Sequence, residues 1–235
     1  MIRFVDFFAG IGGIRIGFEQ TLTDLVISNK CVLSSEIDER ARETYALNFG
    51  EFPQGDLYKI SEFPDFDFLL AGFPCQPFSY AGKQKGFGDT RGTLFFEIER
   101  LLGKHRPKGF LLENVRGLLT HDNGRTFATI IQNLEDLGYK VQWRLLNSSE
   151  FNVPQNRVRV YIVGLRDDDP ILTIESNKGS ADSHLFKNKQ DCKARKLVAD
   201  ILESDVPESY DCSLVFQSKL MQVVEQKKYP FTVCA

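Results

Sequence analysis

Short apolar runs alternating with stretches of helical spacing predict an α/β chain, with a mostly parallel sheet and helices on both faces. Two observations carry that expectation. The run Arg3-Phe4-Val5-Asp6-Phe7-Phe8 breaks into the glycine turn Ala9-Gly10-Ile11-Gly12-Gly13, and helical spacing follows. A second run, Cys31-Val32-Leu33-Ser34-Ser35, stops at an acid, Glu36, and another helical stretch follows it. Strand, glycine turn, helix, strand, acid is the order of a nucleoside-binding Rossmann-type half: glycines let the backbone approach the ligand, and the acid accepts ribose hydroxyls.

Taken in order, the helix after the turn reads as short and imperfect, resting on Ile14, Ile16, Gly17 and Phe18. The GxGxxG fingerprint is incomplete because Arg15 stands in its last position, which weakens a pyrophosphate reading. Asp6, at the end of the first strand, points instead to an acid approaching the ligand. The glycines taken alone fit an ordinary tight turn equally well. Residues 39–48 read as a helix with Ala41, Tyr45 and Ala46 or Leu47 near one face, stopping before Gly50. Asp56 either reaches an adenine amino group or caps the turn that follows it.

A third strand over 66–70 leads into Ala71-Gly72-Phe73-Pro74-Cys75-Gln76-Pro77. A cysteine between two prolines, where a strand gives way to a constrained turn, is well placed to aim a reactive thiol, although lone cysteines are commonly small buried hydrophobes. Residues 80–92 form a glycine-rich loop with Lys83, Lys85 and Arg91, suited to a basic flap over an anionic substrate and also to a plain surface loop. A helix over 93–104 and a strand from Gly109 that ends at Glu113-Asn114-Val115 bring Glu113 to a second strand end, where ligands gather in open α/β sheets. A capping or surface role is its alternative. A helix over 126–137 and a strand over 141–146 follow. The alternating segment 157–164 puts Arg157 and Arg159 on one face, as fork-shaped donors or as exposed edge residues.

Size and composition set the bounds. The 235 residues are 42% hydrophobic and 26% charged, enough for one full core or a core with an appendage. No apolar run approaches the roughly 18 residues of a membrane span, and the early first strand leaves no room for a signal peptide. The expected location is the cytoplasm, associated with the nucleoid. Cys31, Cys75, Cys192, Cys212 and Cys234 are scattered and odd in number, as free thiols in a reducing compartment are, and His105, His121 and His184 add no metal-ligand spacing. No metal is expected. The net charge of −3 makes no general case for nucleic acid, yet one basic face suffices for phosphate, and residues 178–196 hold six basic against two acidic side chains. After residue 170 the composition turns polar, which sets the expected organisation: a cofactor-binding and catalytic domain over 1–170 and a polar connecting segment with helices over 171–235.

A thiol, a carboxyl and paired guanidiniums, with no orienting histidine, do not suit a cysteine protease. They suit addition to an electron-poor ring, in which the thiolate attacks a carbon, the acid handles a ring-nitrogen proton and arginine holds a carbonyl. At this point the motifs become recognisable. Asp6-Phe7-Phe8-Ala9-Gly10-Ile11-Gly12-Gly13, Glu36, Gly55-Asp56, Gly72-Phe73-Pro74-Cys75-Gln76-Pro77-Phe78-Ser79, Gly82-Lys83-Gln84-Lys85-Gly86-Phe87, Arg91-Gly92-Thr93-Leu94-Phe95, Glu113-Asn114-Val115 and Gln155-Asn156-Arg157-Val158-Arg159 occur in this order over about two thirds of the chain. Together they closely resemble bacterial DNA (cytosine-5) methyltransferases of the restriction-modification type.

The resemblance implies a Rossmann-like class I S-adenosyl-L-methionine-dependent methyltransferase fold, incomplete within these residues. It implies Cys75 as the nucleophile on cytosine C6, Glu113 at N3, Arg159 at O2 and Arg157 in support. The cofactor, leaving as S-adenosyl-L-homocysteine, would lie over Ala9, Gly10, Gly12 and Gly13 beside Asp6. Phe8 and Ile37 would stack on its adenine, Glu36 would take the ribose hydroxyls and Asp56 the adenine amino group, with Leu57 adjacent. Gly72, Pro74 and Leu94 would line the pocket. The implied substrate is a cytosine flipped out of double-stranded DNA, with the 80–92 loop closing behind it. Relatives continue into a target-recognition domain and final motifs that are not recognisable here, so a second polypeptide is an expected partner and weak, nonspecific or no activity is expected of this chain alone. A catalytically silent DNA-binding or assembly subunit and an RNA cytosine-5 methyltransferase are the other two readings.

Overall fold

The computed structural model describes residues 1–74, 93–151 and 153–166. These fall into two compact units, one holding 1–145 with 159–166 and the other 146–158. Cys75, the 80–92 loop and the segment from 167 onward lie outside the described residues.

In chain order the elements are β1 (Ile2–Phe7), α1 (Gly13–Asp24), β2 (Asn29–Ser35), α2 (Glu39–Phe49), β3 (Phe68–Gly72), α3 (Thr93–His105), β4 (Gly109–Val115), α4 (Arg125–Asp136), β5 (Tyr139–Asn147) and β6 (Val158–Arg166). They build one six-stranded sheet in the order β2-β1-β3-β4-β6-β5. β1 pairs in parallel with β2 and β3, β3 in parallel with β4, and β6 runs antiparallel to β4. The order turns back between β1 and β3, which makes their carboxyl ends the switch point at which open α/β sheets bind ligands. The expected α/β class and mostly parallel sheet are therefore present.

The central strands form because nearly every residue in them is apolar and both faces are covered. Val5, Phe7, Leu69, Ala71 and Leu112 sit at 0% exposure in the main core, together with Ile98, Leu101 and Leu102 of α3. Phe4 and Leu70 face the other side, where Ile14 and Phe18 of α1 pack on them. Helix α1 runs to Asp24, well beyond the short helix expected around Ile14 to Phe18, because Ile14, Phe18 and Leu22 recur every fourth residue and the sheet supplies the apolar partner. Helix α2 starts at an Asp38 side chain that accepts from the Ala41 N–H at 2.8 Å, and stops at Gly50 with φ 70°.

Candidate functional site

The carboxyl ends of β1, β3 and β4 meet at one place. A Cβ built on Gly72, the last residue of β3, would lie 3.6 Å from the Phe8 carbonyl, 3.4 Å from Ile14 Cδ1 and 3.7 Å from Glu113 Oε2. These are ordinary van der Waals distances, so the three strand ends enclose a space about one methyl group wide. Gly72 is also opposite Glu113 in the parallel ladder. The strand ends over Glu113-Asn114-Val115 as the sequence indicates: β4 runs to Val115, and β6 pairs with it there.

Across the antiparallel ladder Val115 faces Arg159 and Glu113 faces Tyr161. Residues two apart on a strand share a face, so Arg159 and Glu113 lie diagonally on the same side. Arg159 Nε approaches Glu113 Oε1 to 3.0 Å, with both side chains about four-fifths buried. A partly buried carboxylate paired this way resists removal of either partner, since the survivor is left as an uncompensated charge. The pair offers an acceptor and a fork of donors on one face, which fits the edge of a planar polar ring. Arg157 belongs to the other unit and precedes β6. Its N–H is held by Asn147 Oδ1 at 3.0 Å and Ser148 Oγ at 3.2 Å, and its carbonyl accepts from the Ser148 N–H.

Asn114 was not singled out as a separate site residue by the sequence. Its side chain is 1% exposed and donates from Nδ2 to the Phe73 carbonyl at 2.9 Å, while its Oδ1 accepts from the Val115 N–H. The end of β4 is thereby tied to the backbone two residues before Cys75. Its place in the Glu113-Asn114-Val115 motif was the signal that the sequence offered.

Around the glycine turn, Glu36 Oε2 accepts from the Gly10 N–H at 2.8 Å and Oε1 from the Asp38 N–H at 2.9 Å. Each carboxylate oxygen retains a second lone pair for a ligand hydroxyl. The Ala9 N–H donates to the Ser35 carbonyl at 3.0 Å, and Phe8 adopts φ 52°, a left-handed conformation costly for an aromatic residue. A Cβ on Gly10 or Gly13 would meet nothing within 4 Å, and Ile37, next in sequence to Glu36, is 76% exposed. An open glycine face, an acid and an exposed apolar side chain are what a nucleoside requires, so these residues fit the implied cofactor. Asp56 caps the short 3-10 turn after it, accepting from the Tyr58 N–H at 3.0 Å, and Leu57 is buried in the main core. Leu94 is half-buried and Pro74 exposed.

Asp6 faces away from solvent. It is wholly buried, with Oδ2 accepting from the Tyr45 hydroxyl at 3.2 Å and Oδ1 without a hydrogen-bond partner among the described residues. Burial, partly offset by Tyr45 and Arg15, pushes its carboxyl up to about 7. Arg15, which spoils the dinucleotide fingerprint, turns inward instead. It donates to the Tyr45 hydroxyl at 2.9 Å, to Glu19 at 2.8 Å and to Glu51, with its guanidinium 4.0 Å from the Phe49 ring centroid. Among the described residues no group of three or more His, Cys, Asp or Glu could hold a metal ion, and no helix is long and apolar enough to cross a membrane.

The model of the C-5 cytosine-specific DNA methylase family matches residues 2–232. The chain belongs to this family. Its members are S-adenosylmethionine-dependent methyltransferases, and bacterial type II methyltransferases are among the relatives of this chain. It is 63% identical over 226 residues to the type II methyltransferase M.BanI of Aneurinibacillus aneurinilyticus, covering 95% of this chain and 53% of that protein. It is 61% identical over 230 residues to M.HgiCI of Herpetosiphon aurantiacus, covering 95% of this chain and 54% of that one. The chain thus spans about half the length of these relatives. In fold, it resembles the Dnmt2 methyltransferase of S. pombe, with a TM-score of 0.68 at 23% identity over 97% of this chain and 67% of that one. The methyltransferase EhMeth of Entamoeba histolytica gives 0.61 at 22% identity, covering 90% and 63%.

Proposed function

We propose that this chain is the cofactor-binding and catalytic portion, over 1–170, of an enzyme that methylates C5 of a flipped cytosine in double-stranded DNA, and that 171–235 leads toward a recognition region. The observation that carries this reading is the Arg159–Glu113 pair beside the end of β3, one strand end away from the residues leading to Cys75. Cys75 as thiolate adds to C6 of the ring, and its electron pair makes C5 nucleophilic. Glu113 contacts N3 and stabilises a proton there, which lets the ring accept that electron pair. Arg159 holds O2 and the Glu113 carboxyl in one plane, with Arg157 in support. Phe8, Glu36, Ile37, Asp56 and the glycine turn would hold S-adenosylmethionine, with Asp6, Leu57, Gly72, Pro74 and Leu94 around them. When bound, that cofactor supplies an electrophilic sulfonium methyl group and leaves as S-adenosyl-L-homocysteine. A base then removes the C5 proton and the thiolate departs from C6, which restores the ring.

Sequence-selective methylation would also need carboxyl-side residues of the kind the longer relatives possess, on this polypeptide or on a second one. The test is a duplex containing 5-fluorocytosine, incubated with cofactor in the presence and absence of such a carboxyl-side segment. Fluorine cannot leave as a proton, so the wild type should stay covalently attached and Cys75→Ala should not. Absence of an adduct under both conditions would sink the proposal.

A further inference from the structure

The glycine turn between β1 and α1 is gripped from behind by the last turn of α2. Asn48 Nδ2 donates to the Ile11 carbonyl at 2.9 Å, across thirty-seven residues of chain. The N–H on the far end of that same peptide, that of Gly12, donates to the Ala9 carbonyl at 2.9 Å. Both polar ends of the 11–12 peptide are therefore fixed. Next to it, Gly12 sits at φ 92°, and a Cβ there would stand 2.1 Å from Phe49 Cε2, so the ring occupies the space a side chain would need. Phe49 is itself held, because the Arg15 guanidinium lies 4.0 Å from its ring centroid and is pinned by Glu19, Glu51 and Tyr45. Gly10 and Gly13, by contrast, keep open space.

We propose that Asn48, backed by Phe49, is a positioning residue for S-adenosylmethionine: it sets the plane of the 11–12 peptide and hence the curvature of the turn on which the cofactor lies. This rests on the cofactor reading of that turn. Asn48 touches no reacting atom in this arrangement. It is exposed, so its bond contributes little to global stability. Its effect falls on the turn, where the conformations released by losing the bond include ones that do not fit the ligand.

Calorimetric titration of S-adenosylmethionine into the whole chain, with the unliganded thermal midpoint measured alongside, separates the alternatives. Asn48→Ala should raise the cofactor Kd about three- to tenfold, the effect of losing one neutral hydrogen bond, with the midpoint unchanged. Asn48→Asp keeps the size but sets a carboxylate oxygen against the Ile11 carbonyl, and should raise Kd further. Duplex DNA affinity should not move in either variant. Equal cofactor affinity in wild type and both variants would overturn the assignment of Asn48 alone. Weaker binding that tracks a lowered midpoint in both variants would make Asn48 a structural residue and overturn it as well. A wild-type chain that binds no S-adenosylmethionine would overturn the cofactor reading of the turn, and this assignment with it.

Discussion

At the scale of single residues, Asp6 bears on stability and the Arg159–Glu113 pair on chemistry. Buried Asp6 keeps its proton up to about pH 7 in the folded chain against an ordinary value of 3.8. The folded state therefore binds a proton that the unfolded state has released, and the stability this contributes is fully present below pH about 4 and lost as pH rises to about 7. Asp6→Asn removes the titration. Relative to wild type, the variant should gain about 3 kcal/mol of stability between about pH 4.5 and about pH 7.5, read by urea unfolding, and a pH-independent difference would refute the shift. Glu113→Gln should slow formation of the 5-fluorocytosine adduct about a hundredfold or more while leaving the cofactor Kd alone; an unchanged adduct rate would remove Glu113 from the chemistry. Glu113 and Arg159 stand out in the sequence because acid and guanidinium fall within distinctive motifs, whereas Arg157, read on the same strand face as Arg159, precedes β6. The inward turn of Arg15 was not, since nothing local shows that Tyr45, Phe49, Glu19 and Glu51 wait for it. Tyr45 read as an apolar face residue, and its ring is buried as that reading requires, yet its hydroxyl joins Asp6 to Arg15.

At the scale of elements, sequence located the central strands well because burial on both faces leaves them almost wholly apolar. It misjudged the extent of α1, whose end is set by partners distant in the chain. The β4–β6 seam shows how tight such partnership is. Gly164 faces Phe110 in the ladder, and a Cβ on Gly164 would stand 2.2 Å from the Phe110 ring, itself 1% exposed. Gly164→Ala should therefore cost about 2 kcal/mol or more in denaturant unfolding. Adding Phe110→Leu should recover part of the loss, a coupling that a double-mutant cycle measures directly. Additive losses would show that the ring does not set the size limit at Gly164.

At the scale of the whole molecule, the family match over residues 2–232 sits beside relatives about twice as long. Coexpression with the carboxyl-side half of the A. aneurinilyticus relative should lift trapping on duplex DNA from background to a clear duplex-dependent adduct, and equal trapping with and without it would dispense with that half. The family was legible from sequence because its motifs keep their order from Asp6 to Arg159. The pairing that brings their side chains together was not, because it depends on one strand entering the sheet in reverse. That reversal makes the spacing within β6 a ruler. An insertion or deletion in the 148–157 connection leaves the strand free to dock as before, whereas one residue gained or lost between Arg159 and Leu165 would slide the ladder and present Val158 or Val160 to Glu113 instead of a guanidinium.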